Sequence, residues 1–575
     1  MSMLLQRLRD YSDFDRPPTM YDRMRIKWLI ALDRQGRFLG FVRTESEGKR
    51  GERGKEFFAP HIGKTSGVEA RLLAENAEYV LGIARDRQKQ ARARRCHEAF
   101  VKRVRDCGVA TTEPSVNAVL RFLEGLDLDK LPLPEGFKPG DNVTFQVDGV
   151  LPMHLKPVEE YWASTAAKSR EDEAKPGEGL MECLVCGEYR KPVRRLQFKI
   201  KGIPGGQGSG VALISANEQA FESYGLEESL IAPTCADCGE RFSKAANALI
   251  SGERTHIRIG PLVYLFWAKE DRGFSVASLL SRPEPEEVRA LLSSAFSGAR
   301  SAAEIDATPF YATALSANPG RAVVRDWLDT TVAQVKRNLR KYFVLQSIVD
   351  RDGTEGRPLG LYALAASTVR DASKELPPDV AKALLRTALG GGPLPSGLLF
   401  QAVKRIRAEQ AITRARAALI KMVLLSQLPT LVREDAMVQL DPQNQEPAYL
   451  CGRLLAVLEA VQRAAIPGAK ATITDRFFGT ASSAPASVFG RLIRGSQPHL
   501  ARLRKERRAT YEALQRRLEE VQSGLPSFPK ILTLQDQGLF GLGYYHQRAA
   551  DRAAAIAHKQ SRESGADASG TEPTE

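Results

Sequence analysis

The sequence predicts a multidomain α+β protein, with a mixed α/β N-terminal region that carries an insertion, followed by a C-terminal helical bundle. Three observations predict this. The chain has 575 residues, too many for one core at roughly 150 residues per domain. Its apolar residues change from short runs bounded by turn formers to helical repeats. Two CxxC pairs, Cys183/Cys186 and Cys235/Cys238, bracket a glycine-rich stretch.

Composition narrows the class. Hydrophobic residues make up 43% and charged residues 26%, a globular balance. No apolar run approaches the ~18 residues of a membrane span. Met1 to Arg9 is interrupted by Gln6, Arg7 and Arg9, so it lacks the apolar core of a secretory signal. A cytoplasmic location is expected. Lysine and arginine total 83 against 69 acidic residues, a net +14. From Gln401 to Ala550 there are 22 basic and 12 acidic residues, so +10 of the excess lies there. Such a balance favours a polyanion partner, nucleic acid above all. The plainer reading is a basic helical domain that binds nothing. Seven cysteines in a long chain do not form a secreted disulfide scaffold.

The elements follow in order. Ile26 to Leu32 and Phe38 to Val42 read as strands, and Asp33-Arg34-Gln35-Gly36 between them supplies the turn of a hairpin. Val68 to Val109 reads as mostly helical, with arginines on one side. Phe145 to Val147 and Leu196 to Ile200 are short strand candidates, and Lys168 to Glu178 an exposed loop. From about Val323 the spacing is helical, as at Leu450, Leu454, Leu458 and Val461, and again at Leu500, Leu503, Leu514, Leu518 and Val521. The polar tail from Ser561 to Glu575 reads as disordered. The expected divisions are 1–322, with an insertion at 183–238, then a helical connecting region 323–436, a basic bundle 437–560 and the tail 561–575.

The sharpest motif is Cys183-Leu-Val-Cys186-Gly187 with Cys235-Ala-Asp-Cys238-Gly239. Each CxxC turn brings two thiolates to one ion, and two turns complete a tetrahedral zinc site. The 48 residues between them make it the clamp of an inserted zinc-knuckle subdomain, with zinc acting as a structural staple. Unpaired or redox cysteines are the alternative. Cys96, Cys107 and Cys451 read as ordinary buried thiols.

Inside the insertion, Lys199-Ile-Lys201-Gly-Ile-Pro-Gly-Gly-Gln207-Gly-Ser-Gly210 lets backbone approach a ligand closely while its lysines supply charge for phosphates. It lacks the Gly-Lys-Ser/Thr of a Walker A loop. Gln207 at its crest suits insertion into a nucleic-acid groove; a ligand-free hairpin tip is the plainer reading. Lys64-Thr65-Ser66-Gly67 precedes a helix expected to carry Asn76, and these types can read bases or hold phosphates, although Thr65 or Ser66 also suits a helix cap. Arg85, Arg87, Arg92, Arg94 and Arg95 read as a solvated helix face. Arg502, Arg504, Lys505, Arg507 and Arg508 cluster on a helix with Leu500, Leu503 and Leu514 on its apolar side, a face able to track a phosphate backbone. The seven histidines are scattered, and no HExxH or GxSxG motif accompanies them.

Several segments together resemble one family, the large subunit of the type I-C CRISPR surveillance complex (Cascade). They are Lys64 to Gly67 with Asn76, Tyr79 to Gly82, Asn142 to Gly149, Lys199 to Gln207, Gly210 to Ser215 and Ala220 to Gly225. Further on come Phe310-Tyr311, Leu315 to Pro319, Val324-Arg325, Arg416 to Lys421, Gly452 to Leu458 and Gly543 to Arg548. They occur in the family's order and span nearly the whole chain. Ala74-Glu75-Asn76 departs from a family pattern with a bulky aromatic before the acidic-Asn pair. The zinc expectation rests on cysteine spacing, not on the family.

The resemblance implies a non-enzymatic, prokaryotic protein that recognises the short motif flanking a DNA target (the PAM) and opens the duplex, leaving guide RNA pairing to read the rest. It implies contacts to the PAM duplex from Lys64, Thr65, Ser66 and Asn76, phosphate contacts from Lys199 and Lys201, and a wedge at Gln207. The displaced strand would follow Arg502, Arg504, Lys505 and Arg508. Implied partners are target DNA, guide RNA with the backbone and other Cascade subunits, and a recruited helicase-nuclease. A small subunit translated internally from Met437 is a further implied partner. The competing readings are a zinc-ribbon nucleic-acid-binding accessory protein outside CRISPR, and a nuclease with an unrecognised site.

Overall fold

The computed structural model describes residues 2–11, 18–44, 54–62, 67–172, 179–216, 218–269, 275–293, 307–318, 320–428 and 436–568. It is mixed helix and sheet, and divides into two units, 1–250 with 317–323, and 251–316 with 324–575.

In the first unit, β1 (Tyr21–Ile26) pairs antiparallel with β4 (Lys55–Pro60), Met24 opposite Phe57. The expected hairpin forms between β2 (Trp28–Leu32) and β3 (Phe38–Arg43). β6 (Asn142–Val147) runs parallel to β2, Ile30 opposite Phe145, and β5 (Ala74–Asn76) closes the order β3-β2-β6-β5. Helices α1 (Gln90–Thr111) and α2 (Pro114–Glu124) cover it through Cys96, Phe100, Val104, Cys107, Val116 and Val119, all fully buried. Phe145 packs between Phe100 and Phe122, so the alternation of β6 meets the helical stripe of α1 and α2 in one core. Cys96 and Cys107 are the buried thiols expected of them, and burial pushes the Cys107 thiol up to about 12.

Three expectations change here. Val68 to Leu73 is not helical, and the long helix begins only at Gln90. Asn76 ends β5 and caps a four-residue turn of helix rather than lying within one. Helix α3 (Lys156–Asp172) occupies the first part of the stretch expected to be a loop, and 173–178 lie outside the described residues.

The second unit opens with an antiparallel sheet in the order β12-β11-β10-β9, formed by β9 (His256–Ile259), β10 (Leu262–Ala268), β11 (Pro309–Asn318) and β12 (Arg321–Thr331). β12 carries sheet structure eight residues past the expected change at Val323, and helix starts at Val332, capped by Thr331. The helices used below are α4 (Ser396–Glu409), α5 (Arg414–Ser426), α6 (Pro447–Ala465), α7 (Phe489–Glu506), α8 (Arg508–Ser523) and α9 (Leu534–Ala568). Leu450, Leu454, Leu458 and Val461 are buried on α6 as the spacing predicts. Leu500 and Leu503 lie on α7 but Leu514, Leu518 and Val521 on α8, because the chain breaks helix at Arg507. α9 extends through Ala568, so the first part of the expected disordered tail is helical. Residues 569–575 lie outside the described residues.

Helices α6 and α9 cross at backbone contact. A Cβ on Gly452 would lie 2.0 Å from the Phe540 carbonyl oxygen, and one on Gly543 2.1 Å from that of Tyr449. Only glycine permits that approach. Among the described residues no helix is long and apolar enough to cross a membrane.

Candidate nucleic-acid interface and metal centre

The four paired cysteines meet. β7 (Met181–Glu182) and β8 (Tyr189–Arg190) form a two-stranded hairpin whose turn holds Cys183 and Cys186. The Gly187 amide donates to the Cys183 carbonyl at 2.8 Å, with Gly187 at φ +74°. Cys235 precedes the helix Ala236–Ser251, and Cys238 sits in its first turn. The two halves are laced by Val193 N–H to the Thr234 carbonyl (2.9 Å) and Leu184 N–H to the Pro233 carbonyl (2.9 Å). The four Sγ atoms all lie within 4.8 Å of one another. A tetrahedral thiolate site with Zn–S near 2.3 Å has sulfur–sulfur edges of about 3.8 Å, so small side-chain shifts close this set around one ion. The Cys235 amide donates to the Cys183 sulfur at 3.3 Å. Hydrogen bonding from Cys238 draws the Cys235 thiol down to about 5, as a helix N-terminus also favours. These residues can hold a metal ion.

The glycine-rich segment is not the strand expected over Leu196–Ile200. It is a loop closed by mutual 2.8 Å hydrogen bonds between Ile200 and Val211. Asn247, on the helix that follows Cys235, bridges its base. Its Oδ1 accepts from Lys201 N–H at 2.7 Å, and its Nδ2 donates to the Lys199 carbonyl at 3.0 Å. The other flank is held where Ala212 exchanges hydrogen bonds with Gly320 and Ala322. Gly210, at φ +94°, leaves 2.8 Å between its notional Cβ and that of Lys199, so the loop closes only with glycine there. Gln207 is exposed at the crest, its carbonyl accepting from Gly210 N–H at 2.9 Å.

Beside this loop opens a cleft of about 780 Å³, lined from the loop by Lys199, Lys201, Gly208 and Ser209 and from β1 and its surroundings by Arg23, Arg25, Lys27 and Arg71. Among the described residues, six basic side chains face three acidic ones, Asp22, Glu56 and Asp141, a net positive lining. Lys201 is held to Asp22 at 2.7 Å, Lys27 to Asp141 at 2.8 Å and Arg23 to Glu56 at 3.4 Å. Arg25 and Lys199 have no ion-pair partner among the described residues. His61 also lines it, against Phe198; burial lowers it to about 4, leaving it neutral at physiological pH. Cation pairs with fixed geometry and two spare cations suit a phosphate backbone.

The remaining expected residues are scattered. Lys64, Thr65 and Ser66 lie outside the described residues. Asn76 is half-buried, and its Oδ1 accepts from Tyr79 N–H at 3.3 Å, so in this structure its side chain acts as a helix cap. Arg502, Arg504, Lys505 and Arg508 are exposed in the second unit. Arg502 pairs with Glu506 at 3.0 Å and Arg508 with Glu512 at 3.6 Å, while Arg504 and Lys505 have no ion-pair partner among the described residues. Of the expected arginine face, Arg85 and Arg92 turn to the buried Glu78 at 3.4 and 3.8 Å. Sequence reasoning missed Arg23, Arg25, Lys27, Arg71 and Asn247. The alternation in Tyr21-Asp-Arg-Met-Arg-Ile26 was the signal that could have found the first two, because residues two apart share a strand face.

A family model described as CRISPR-associated protein (Cas_Csd1) matches residues 4–551. No curated protein matches the chain.

Proposed function

The chain belongs to the Cas_Csd1 family of CRISPR-associated proteins, and from that premise we propose that it is the non-catalytic large subunit of a type I-C RNA-guided DNA surveillance complex. In this reading it recognises the PAM, promotes duplex opening and R-loop formation, and helps recruit the helicase-nuclease. The observation that carries the proposal is the net-positive cleft bordered by a rigidly based glycine loop. Lys199, Arg25 and their neighbours hold the phosphates of the flanking duplex. Gln207, exposed on a loop fixed at both ends, wedges beneath the last flanking pair. Opening a stacking step costs about 1.4 kcal/mol on average, an amount that two or three charge-assisted phosphate contacts offset. The four cysteines hold a structural zinc that staples the base of the helix carrying Asn247, and so fixes the loop.

The test assembles the chain with its guide RNA and backbone subunits and measures binding to duplexes with a randomised flank. A short flanking motif is expected to be enriched. Gln207→Ala is expected to weaken binding to intact duplex roughly tenfold, the order of one lost stacking step, and to leave a pre-opened target nearly unaffected. Equal losses on both substrates sink the wedge; tight binding indifferent to the flank favours a zinc-ribbon accessory protein outside CRISPR. The exposed Arg502, Arg504, Lys505 and Arg508 track the displaced strand. Charge reversal of Arg504, Lys505 and Arg508 should make the slope of log affinity against log salt shallower by about two to three. An unchanged slope removes that face from the DNA path.

A further inference from the structure

The second unit contains an arginine-lined pocket that the reading above does not use. It has a volume of about 510 Å³ and is bounded by the loop at Asp350–Arg351, by Gln410–Arg414 at the start of α5, and by Tyr544, Tyr545, Arg548 and Arg552 on α9. Four guanidinium groups line it: Arg351, Arg414, Arg548 and Arg552. One carboxylate, Asp350, faces them, and its Oδ1 accepts from the Asp352 amide at 2.8 Å.

Among the described residues, three of the four arginines have no carboxylate in ion-pair contact. Arg548 is committed to the buried Glu459 at 3.2 Å. Arg414 donates instead to the backbone carbonyls of Arg357 and Ile348, and Arg552 to the carbonyl of Arg351 at 3.2 Å. Arg351 is exposed, with no side-chain partner among the described residues. Neutral carbonyls fix the direction of a guanidinium without cancelling its charge. Burial lowers Arg414 from its ordinary value; burial, Arg548 and Arg351 together lower Arg552, so Arg552 is the one that feels its neighbouring cations.

The pocket is also built rather than incidental. A Cβ on Gly353 would lie 2.6 Å from that of Ala553, and one on Gly356 2.4 Å from Arg414 Nε. The loop that presents Arg351 is therefore seated directly on α9, and Arg414 lies flat against the backbone of the same loop. Tyr545 ties it further, donating to the Val349 carbonyl at 2.9 Å. Clustered cations held apart by a rigid frame match the several acceptor oxygens of a phosphate.

We propose that Arg351, Arg414 and Arg552 form a phosphate-binding pocket. It takes a group bearing at least two negative charges or two adjacent phosphates, either in a nucleic-acid strand or in a free phosphorylated ligand. The proposal is independent of the cleft in the first unit.

Calorimetric titration of the full-length protein with inorganic pyrophosphate tests it, alongside Arg351→Gln/Arg552→Gln and, as a control at exposed arginines that line neither this pocket nor the cleft, Arg34→Gln/Arg37→Gln. The wild type and the control are expected to bind one pyrophosphate per pocket, and the pocket variant at least about tenfold more weakly. Thermal unfolding supplies a second readout, with pyrophosphate raising the melting temperature of the wild type but not of the pocket variant. Gly356→Ala, which displaces Arg414 without removing a charge, is expected to weaken binding as well. Competition by a short single-stranded oligonucleotide identifies a strand as the source of the phosphate; binding without competition identifies a free ligand. Equal affinity in wild type and pocket variant, or no binding by either, overturns the proposal.

Discussion

His546 shows how far one buried side chain is committed by its surroundings. The residue is 1% exposed; Nδ1 lies 3.0 Å from the Tyr449 hydroxyl, and Nε2 has no hydrogen-bond partner among the described residues. Burial, with Lys421 nearby, lowers its pKa from 6.5 to about 3. The folded state therefore refuses a proton that the unfolded chain accepts below pH 6.5. Its contribution to stability is intact above that pH and is lost as pH falls from 6.5 towards 3, by about 1.4 kcal/mol per pH unit. Denaturant midpoints at pH 7.5 and 5.5 should show a larger acid loss in the wild type than in His546→Gln, and identical losses would refute the assignment. Nothing in the sequence marked this histidine beyond its place in Gly543 to Arg548, because burial depends on which helix α9 meets. The functional residues were legible in the same uneven way. Cys183, Cys186, Cys235 and Cys238 were found because spacing alone encodes convergence. Asn76 was misplaced on a helix because an asparagine that ends a strand and caps a helix has the composition of either.

At the scale of elements, the cysteine hairpin and the helix Ala236–Ser251 act as one part. That helix buries Phe242, Ala246 and Leu249 and also carries Asn247, which clamps the glycine loop. Zinc at its N-terminus would fix the helix start relative to the hairpin, since metal binding supplies local folding energy. Atomic emission on the purified protein should find about one zinc per chain. Chelation or Cys235→Ser should speed proteolysis within 179–238 while leaving the second unit's melting unchanged. A metal-free protein indifferent to chelator would remove zinc from the account. Elements with strong internal periodicity, such as α6, were readable before folding. The loop at Leu196–Ile200 was not, because among the described residues its strand-like apolar run finds a single bridging partner, Val211. Likewise β12 outlasts the expected change of periodicity because it pairs with the preceding strand β11, and the presence of that partner is not written in the spacing of β12's own residues. Ser561 and its successors continue α9, since no proline or capping glycine stops the helix before them.

On the scale of the whole molecule, the second unit has one continuous core from Ile257 to Ala549, and that bears on the small subunit expected to start at Met437. Such a product, Met437 to Glu575, would hold α6, α7, α8 and α9, including the glycine crossing of α6 and α9 at Gly452 and Gly543. It would lose α4 and α5, against which α9 also packs. Notional Cβ atoms on Gly538 would meet Leu399 at 3.0 Å and Ile420 at 3.1 Å, and one on Gly541 would meet Ile412 and Ile420 at 3.7 Å. Removing those helices uncovers an apolar strip along one side of α9, and soluble monomers rarely tolerate large exposed strips of this kind. The fragment should therefore fold as a helical bundle yet associate, with itself or with a surface that replaces α4 and α5. Sedimentation of the isolated fragment should reveal concentration-dependent assembly, abolished when the α9 strip marked by Gly538 and Gly541 is made polar. A strictly monomeric, cooperatively melting fragment would show that α9 needs no cover. Intact mass of the proteins made from the native gene decides whether the fragment exists at all, and the absence of a species beginning at Met437 ends the case for it.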